Sequence, residues 1–341
     1  MYLDFFGFRE PPFQLKPDSH FLYMSKGHTR AWAYMEFTIL NRDSFVVITG
    51  EIGSGKTTLI QKLVSELDED VIVAQISQTQ LDEVEFLQSI LVEFGLDPFA
   101  AKKVELLYML NTFLTEQYDK NRRVVLIVDE AQNLNRTVLE EIRLLSGMET
   151  RKHNMLNIIL VGQPELRELL NSPGLEQLVQ RVRLRFHLQG MDRQEMRDYI
   201  EHRLKVAGLE DAGLFPARHM GLIHSYTAGI PRLVNVLCDT ILIGAFSEDS
   251  RKITIRTIRN AIEELQWEPR LGASTESTRG ETQGDTTGKG TAGDEPSRAE
   301  ARDGPGTEKK PADSTTGLSF IDTINSLEID LDLTGKDDER D

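Results

Sequence analysis

Between Phe45 and Leu188, short β-branched runs alternate with longer stretches in which apolar residues recur every three or four positions. This is the pattern of a parallel sheet with helices on both faces. The apolar runs predict strands over Phe45–Thr49, Val71–Ile76, Val124–Val128, Asn157–Val161 and Arg185–Leu188, with helices near 57–67, 82–94, 101–119 and 136–147. From Asp192 to Trp267 strand-like runs nearly vanish and amphipathic helices take over, among them Arg193–Ala207 and Arg232–Phe246. The expectation is therefore an α/β sheet domain over 1–190 followed by a small all-α domain over 191–268.

Around Pro269 the composition changes. The segment 269–317 is Gly, Thr, Ser, Asp, Glu and Arg with almost no large apolar side chain, which cannot offset the entropy of ordering and reads as a disordered linker. Leu318, Phe320, Ile321, Ile324, Leu327, Ile329, Leu331 and Leu333 then crowd into one acidic stretch, and 318–335 reads as a short docking motif for a protein partner. The alternative is a fortuitous apolar stretch in a disordered tail.

The net charge is −16, and the last 71 residues hold 17 Asp/Glu against 8 Lys/Arg, so more than half of the excess lies there. An acidic surface repels phosphate backbones, and there is no strong nucleic-acid signal. The single cysteine, Cys238, excludes an internal disulfide and a cysteine-built metal site, and its apolar neighbours Leu233, Val234, Val236 and Leu237 mark it as a core thiol. No run is apolar enough for a membrane span and the start Met1-Tyr2-Leu3-Asp4 lacks the basic onset of a signal peptide, so cytoplasmic residence is expected.

Three elements carry chemistry. The loop Gly50-Glu51-Ile52-Gly53-Ser54-Gly55-Lys56-Thr57 has the Gly-x4-Gly-Lys-Thr spelling, preceded by the strand Phe45–Thr49 and followed from Thr58 by a helix. Glycines let backbone N–H groups curl around a β-phosphate, Lys56 reaches the β/γ oxygens and Thr57 offers a hydroxyl to Mg²⁺. The strand Arg123–Val128 ends in Asp129 and Glu130, which places Asp129 to hold the Mg²⁺ shell and Glu130 to orient and deprotonate an attacking water. The alternative is a helix whose first turn happens to be acidic. The strand ending at Val161-Gly162 presents Gln163 beside the γ-phosphate as a sensor, with Pro164 opening the next helix; a solvent-facing loop glutamine is the alternative.

With these in place the sequence resembles an AAA+ ATPase of the general secretion pathway protein A (ExeA) type, and more closely the secretion ATPase found with bacterial exosortase (PEP-CTERM) and exopolysaccharide loci. The residues that carry this are Tyr2 to Phe13, Pro17-Asp18, Phe21-Leu22-Tyr23, the phosphate loop, Val128-Asp129-Glu130-Ala131-Gln132, Leu160 to Leu166, and Ala228-Gly229-Ile230-Pro231-Arg232. The resemblance covers residues 1 to about 268. It implies an AAA+ core with a helical lid, Mg-ATP as ligand, and an N-terminal aromatic segment near the adenine, where an edge of hydrophobic core is the plainer reading. It further implies that Arg181 is an arginine finger serving a neighbouring subunit in a homo-oligomer built through the ATP site, and that Arg232 is a second sensor. Arg181, Arg183 and Arg185 also alternate as on the wet face of a strand, and physics alone does not choose between Arg181 and Arg183. Relatives of this type commonly continue into a membrane span and a peptidoglycan-binding domain, which this sequence lacks, and this favours the exopolysaccharide-associated branch, peripheral to the inner membrane through partners.

The resulting expectation is an ATP hydrolase that assembles as an oligomer and drives or gates a secretion or exopolysaccharide export system. Two alternatives stand beside it: a DNA-associated AAA+ ATPase of the transposition or replication-initiation type, and a slow nucleotide-dependent switch.

Overall fold

The computed structural model describes residues 2–271, apart from 17, 42–44, 100, 150–153 and 210–211. The docking motif 318–335 and all of the linker beyond Leu271 lie outside the described residues.

Five strands form one parallel sheet: β1 (Phe45–Gly50), β2 (Val71–Ile76), β3 (Arg123–Val128), β4 (Asn157–Gly162) and β5 (Leu184–Leu188), in the order β2-β3-β4-β1-β5. All five were expected, to within a residue at each end. Both β1 and β4 are buried along their whole length, as continuous apolar runs in a two-sided sheet require. Alternate residues divide between the faces. Val47, Leu126, Ile158 and Leu160 enter one core, with α4 (Glu83–Glu93), α5 (Lys103–Asp119) and α6 (Arg136–Leu145). Val46, Ile48, Ile127 and Ile159 enter the other, against α2 (Lys26–Leu40) and α3 (Lys56–Ser65).

Helix α2 was not predicted. Its inward face carries His28 and Thr38 beside Ala31, Met35 and Ile39, and the two polar positions dilute the apolar period. Two short helices, α7 (Glu165–Leu170) and α8 (Glu176–Arg181), connect β4 to β5. Arg181 closes α8 and Arg183 precedes β5, so among the three alternating arginines only Arg185 lies on a strand. The strand-face reading of Arg181 is thereby corrected.

The remaining helices are α9 (Arg193–Val206), α10 (Met220–Thr227), α11 (Pro231–Ser247) and α12 (Ile255–Glu264). Their shared core contains Met196, Ile200, Leu237, Cys238, Ile241 and Ile258, together with Phe6, Phe8, Phe13 and Phe21 from the N-terminal segment, which opens with α1 (Tyr2–Phe6). Buried aromatics dominate core energetics, so this segment is anchored by burial rather than by its own secondary structure. Cys238 is fully buried, and burial pushes its thiol pKa far above the ordinary range, as an inert core thiol requires. Among the described residues no helix is long and apolar enough to cross a membrane.

Candidate functional site

The site lies where the carboxyl ends of β1, β3 and β4 meet. Because β4 is inserted between β3 and β1, Gln163 at its end stands between the phosphate loop and the Asp129-Glu130 pair. Clefts at the carboxyl ends of parallel strands are where such sheets bind ligands.

Out of β1 the chain turns through Gly50 to Gly55 and enters α3 at Lys56. Ser54 N–H donates to the Glu51 carbonyl at 3.1 Å, which closes the turn. Gly53 has φ +80°, and a Cβ there would sit 2.3 Å from the Arg232 Cβ; Gly55 has φ +97°, and a Cβ there would sit 2.8 Å from His28 Nε2. Both positions therefore combine a left-handed backbone with a neighbour too close to admit a Cβ. Gly55 caps α3 with no side-chain hydrogen bond, leaving the first N–H groups of the helix for an anion.

Lys56 is only 7% exposed. Its Nζ donates to the carbonyls of Gly50 (2.7 Å) and Glu51 (3.0 Å), and burial draws its pKa down against the opposing charges of Glu130 and Asp129. The Thr57 hydroxyl donates to Asp129 Oδ2 at 2.7 Å, and Asp129 Oδ1 accepts the Glu130 N–H at 2.9 Å. Burial raises the Asp129 pKa above the usual carboxylate range, with those two donors pulling the other way.

Glu130 has a left-handed backbone, φ 53° and ψ 34°, a conformation a non-glycine residue adopts at a cost of about 1–3 kcal/mol. Its Oε2 accepts from Gln132 Nε2 at 2.6 Å and from Gln163 Nε2 at 3.1 Å, and its carbonyl accepts from Thr79 Oγ1 at 3.2 Å. Gln132 Oε1 in turn accepts the Gln163 N–H at 3.0 Å. One amide side chain thus ties the end of β3 to the end of β4.

Beside these residues opens a cavity of about 250 Å³. Its phosphate end is lined by Gly53, Gly55, Lys56, Thr57, Glu130 and Gln163. Ile52, Thr58 and Arg232 also line it, as do Phe21, Tyr23, Tyr199 and Asn235 at the opposite end. Within the N-terminal segment, Phe6, Phe8 and Phe13 fill the helical core, while Phe21 and Tyr23 also face the cavity. Arg232, in the first turn of α11, donates its N–H to the Gly53 carbonyl at 3.1 Å and so fastens the helical part to the loop.

Arg181 does not line this cavity. Its Nη1 donates to Ser146 Oγ at 3.1 Å, and the guanidinium lies over Gly147, where a Cβ would come within 2.7 Å of it. The Arg183 guanidinium instead stacks on the Phe37 ring at 5.2 Å.

The donor set suits Mg-ATP. A hydroxyl and a carboxylate side by side offer hard oxygens to one side of a small cation, and among the described residues there is no group of three or more His, Cys, Asp or Glu that could cage it. Mg²⁺ is commonly held this way, by one or two protein oxygens plus phosphates and water.

Sequence reasoning missed several residues at the site. Gln132 was inside a recognised motif but received no role, and its two-residue spacing from Glu130 was the available signal. His28, Thr79, Tyr199, Arg203 and Asn235 carried no local signal, because each has a partner many residues away.

Comparison with known proteins agrees with this geometry. The AAA domain family matches residues 40–170. General secretion pathway protein A of Aeromonas hydrophila is 39% identical over 254 residues, covering 74% of this chain and 46% of that protein, so the chain spans about half the length of this relative. Among solved structures, the ORC2 protein of Aeropyrum pernix in its ADPNP-ADP complexes matches with a TM-score of 0.54 at 21% identity, over 75% of this chain and 72% of that one. CDC6P from Pyrobaculum aerophilum matches with a TM-score of 0.56 at 16% identity, over 74% and 70%. At those identities the likeness shows the fold alone. The chain thus carries an AAA domain on the P-loop fold, and over 254 residues it is similar to general secretion pathway protein A.

Proposed function

We propose that this chain is a Mg-ATP-dependent ATPase that assembles as a homo-oligomer and drives or gates a bacterial secretion or exopolysaccharide export system. The reading treats 1–190 as the nucleotide-binding part and 191–268 as its helical lid. The observation that carries the hydrolytic reading is the arrangement around Glu130. Two amide donors grip one carboxylate oxygen and leave the other to a water, while Thr57 and Asp129 stand ready for the cation.

On this reading the N–H groups of Gly53 to Thr58 cradle the β-phosphate, and Lys56 turns from the Gly50 and Glu51 carbonyls to the β/γ oxygens. Thr57 and Asp129 would hold Mg²⁺, which when bound would neutralise charge developing on the phosphates. Glu130 orients the water and takes its proton, and Gln163 reports the γ-phosphate because its amide already reaches Glu130. Arg232 acts as the lid's sensor. Arg181, turned away from its own cavity, serves a neighbour's.

The secretion role rests on the relative that is 39% identical, of which this chain spans about half. Contact with export partners through 318–335 belongs to the same proposal. The likeness to ORC2 and CDC6P is one of fold and favours no DNA-bound reading.

The test is Glu130→Gln. The amide is nearly isosteric but cannot accept a proton, so the variant should bind ATP as the wild type does and lose turnover, while Lys56→Ala should lose tight binding. Normal phosphate release by Glu130→Gln would place the base elsewhere, and unchanged affinity in Lys56→Ala would sink the site assignment. A wild-type turnover no faster than that of Glu130→Gln would favour the slow switch.

A further inference from the structure

His28 is 3% exposed, yet it carries two polar ring nitrogens into the gap between α2 and the phosphate loop. Both are used. Nε2 lies 3.0 Å from the Ser54 carbonyl, and Nδ1 lies 2.7 Å from Ser25 Oγ. A carbonyl only accepts, so Nε2 bears the proton. The Ser25 hydroxyl then donates to Nδ1 while accepting the His28 backbone N–H at 3.3 Å as the N-cap of α2. Burial lowers the His28 pKa, in keeping with this neutral tautomer.

What the contact does follows from peptide geometry. The Ser54–Gly55 peptide is planar and trans, so its C=O and N–H point in opposite directions. Holding the Ser54 carbonyl against His28 turns the Gly55 N–H away from α2, and that N–H has no hydrogen-bond partner among the described residues. The preceding carbonyl, Gly53, is held from the other side by the Arg232 N–H at 3.1 Å. Two consecutive carbonyls are thus drawn outward by two different elements. The close fit admits only glycine at position 55, where a Cβ would strike Nε2 at 2.8 Å.

We propose that His28 is a positioning residue for nucleotide binding: its Nε2–H fixes the Ser54 carbonyl and thereby presents the Gly55 N–H to a bound phosphate. This rests on the nucleotide-site reading above. His28 touches no reacting atom, so its contribution falls on affinity rather than on the chemical step.

The test uses the full chain, with ATP and ADP dissociation constants, kcat and Tm measured for His28→Leu and His28→Gln. The leucine fills the space without a donor, and the glutamine places an N–H near the position of Nε2. His28→Leu should raise both dissociation constants about tenfold, the upper range for one hydrogen bond, with kcat at saturation within about twofold. His28→Gln should recover most of that loss. Wild-type affinity in His28→Leu overturns the proposal, as does equal weakness in the glutamine variant, which would make the effect one of packing. If neither variant folds, Ser25→Ala frees the ring to rotate and should weaken binding two- to threefold; no change there overturns the proposal equally. Lys56→Ala separates the two readings. If it too binds normally, the nucleotide site itself is misassigned; if it loses binding while His28→Leu does not, only the role of His28 falls.

Discussion

Arg181 offers a test in which stability and catalysis come apart by orders of magnitude. Among the described residues its guanidinium makes one hydrogen bond, to Ser146 Oγ, and it lies outside the cavity of its own chain. Truncating it to alanine removes about 0.5–1.5 kcal/mol of folding stability. In a chain of this size that shifts Tm by no more than about 5 °C. An arginine acting across an interface on a γ-phosphate is worth about 10³–10⁵ in rate, or roughly 4–7 kcal/mol of barrier. Arg181→Ala should therefore bind ATP normally, melt within a few degrees of the wild type, and release phosphate at least a thousandfold more slowly. A mixture then reads the geometry. In an equimolar mixture with Lys56→Ala, which lacks a working loop but has a good arginine, random assembly pairs an intact loop with an intact arginine at about a quarter of the sites, and activity should return to about that fraction. Specific activity of the wild type should also rise with protein concentration, since each complete site needs two chains. Arg183→Ala is the control, because that guanidinium is committed to the Phe37 ring. A mixture that stays inactive, together with turnover independent of concentration, refutes the reasoning and withdraws the oligomer.

Two further outcomes follow from the same geometry. Gln132→Met keeps the volume but removes a donor from Glu130, and the loss of a hydrogen bond to a charged group should cut kcat by about 10–100-fold while the ATP dissociation constant stays put, as single-turnover and equilibrium titrations would show. Asp129→Asn should raise the Tm of the nucleotide-free protein near pH 7 and abolish Mg²⁺-dependent turnover. The sign comes from the raised pKa: the folded state disfavours the carboxylate, so the wild type gains stability as pH falls through the folded pKa, and the variant's advantage should shrink across the acid range. An advantage independent of pH would trace it to something other than that charge.

Much of the site was legible because its parts are local. A glycine-rich turn between an apolar run and a helical period needs only a dozen neighbouring residues to be recognised, and so do the carboxylates after Val128 and the glutamine after Gly162. The central strands β1, β3 and β4 were found for the same reason, since buried parallel strands are unbroken apolar runs, while the partly buried edge strands β2 and β5 carry polar residues within them. Helix α2 escaped because His28 and Thr38 occupy its inward face, and the polarity of His28, which helped hide it from the periodic reading, is what the site uses.

The sequence by itself determined which residues can meet phosphate, cation and water, because residue type and near-neighbour spacing settle that chemistry. Tertiary structure alone decided which of them meet one another. The order β2-β3-β4-β1-β5 brings Gln163 to Glu130 across 33 positions and lets Gln132 bridge them. Packing of α2 on β1, β4 and β5 brings His28 under a loop 26 residues downstream, and the turn into α11 lays Arg232 on Gly53. It also decided that Arg181 ends a helix and turns to Ser146. Such contacts depend on strand order and on which face each helix buries, and these follow from how the whole apolar surface is best covered, which no local window of sequence contains.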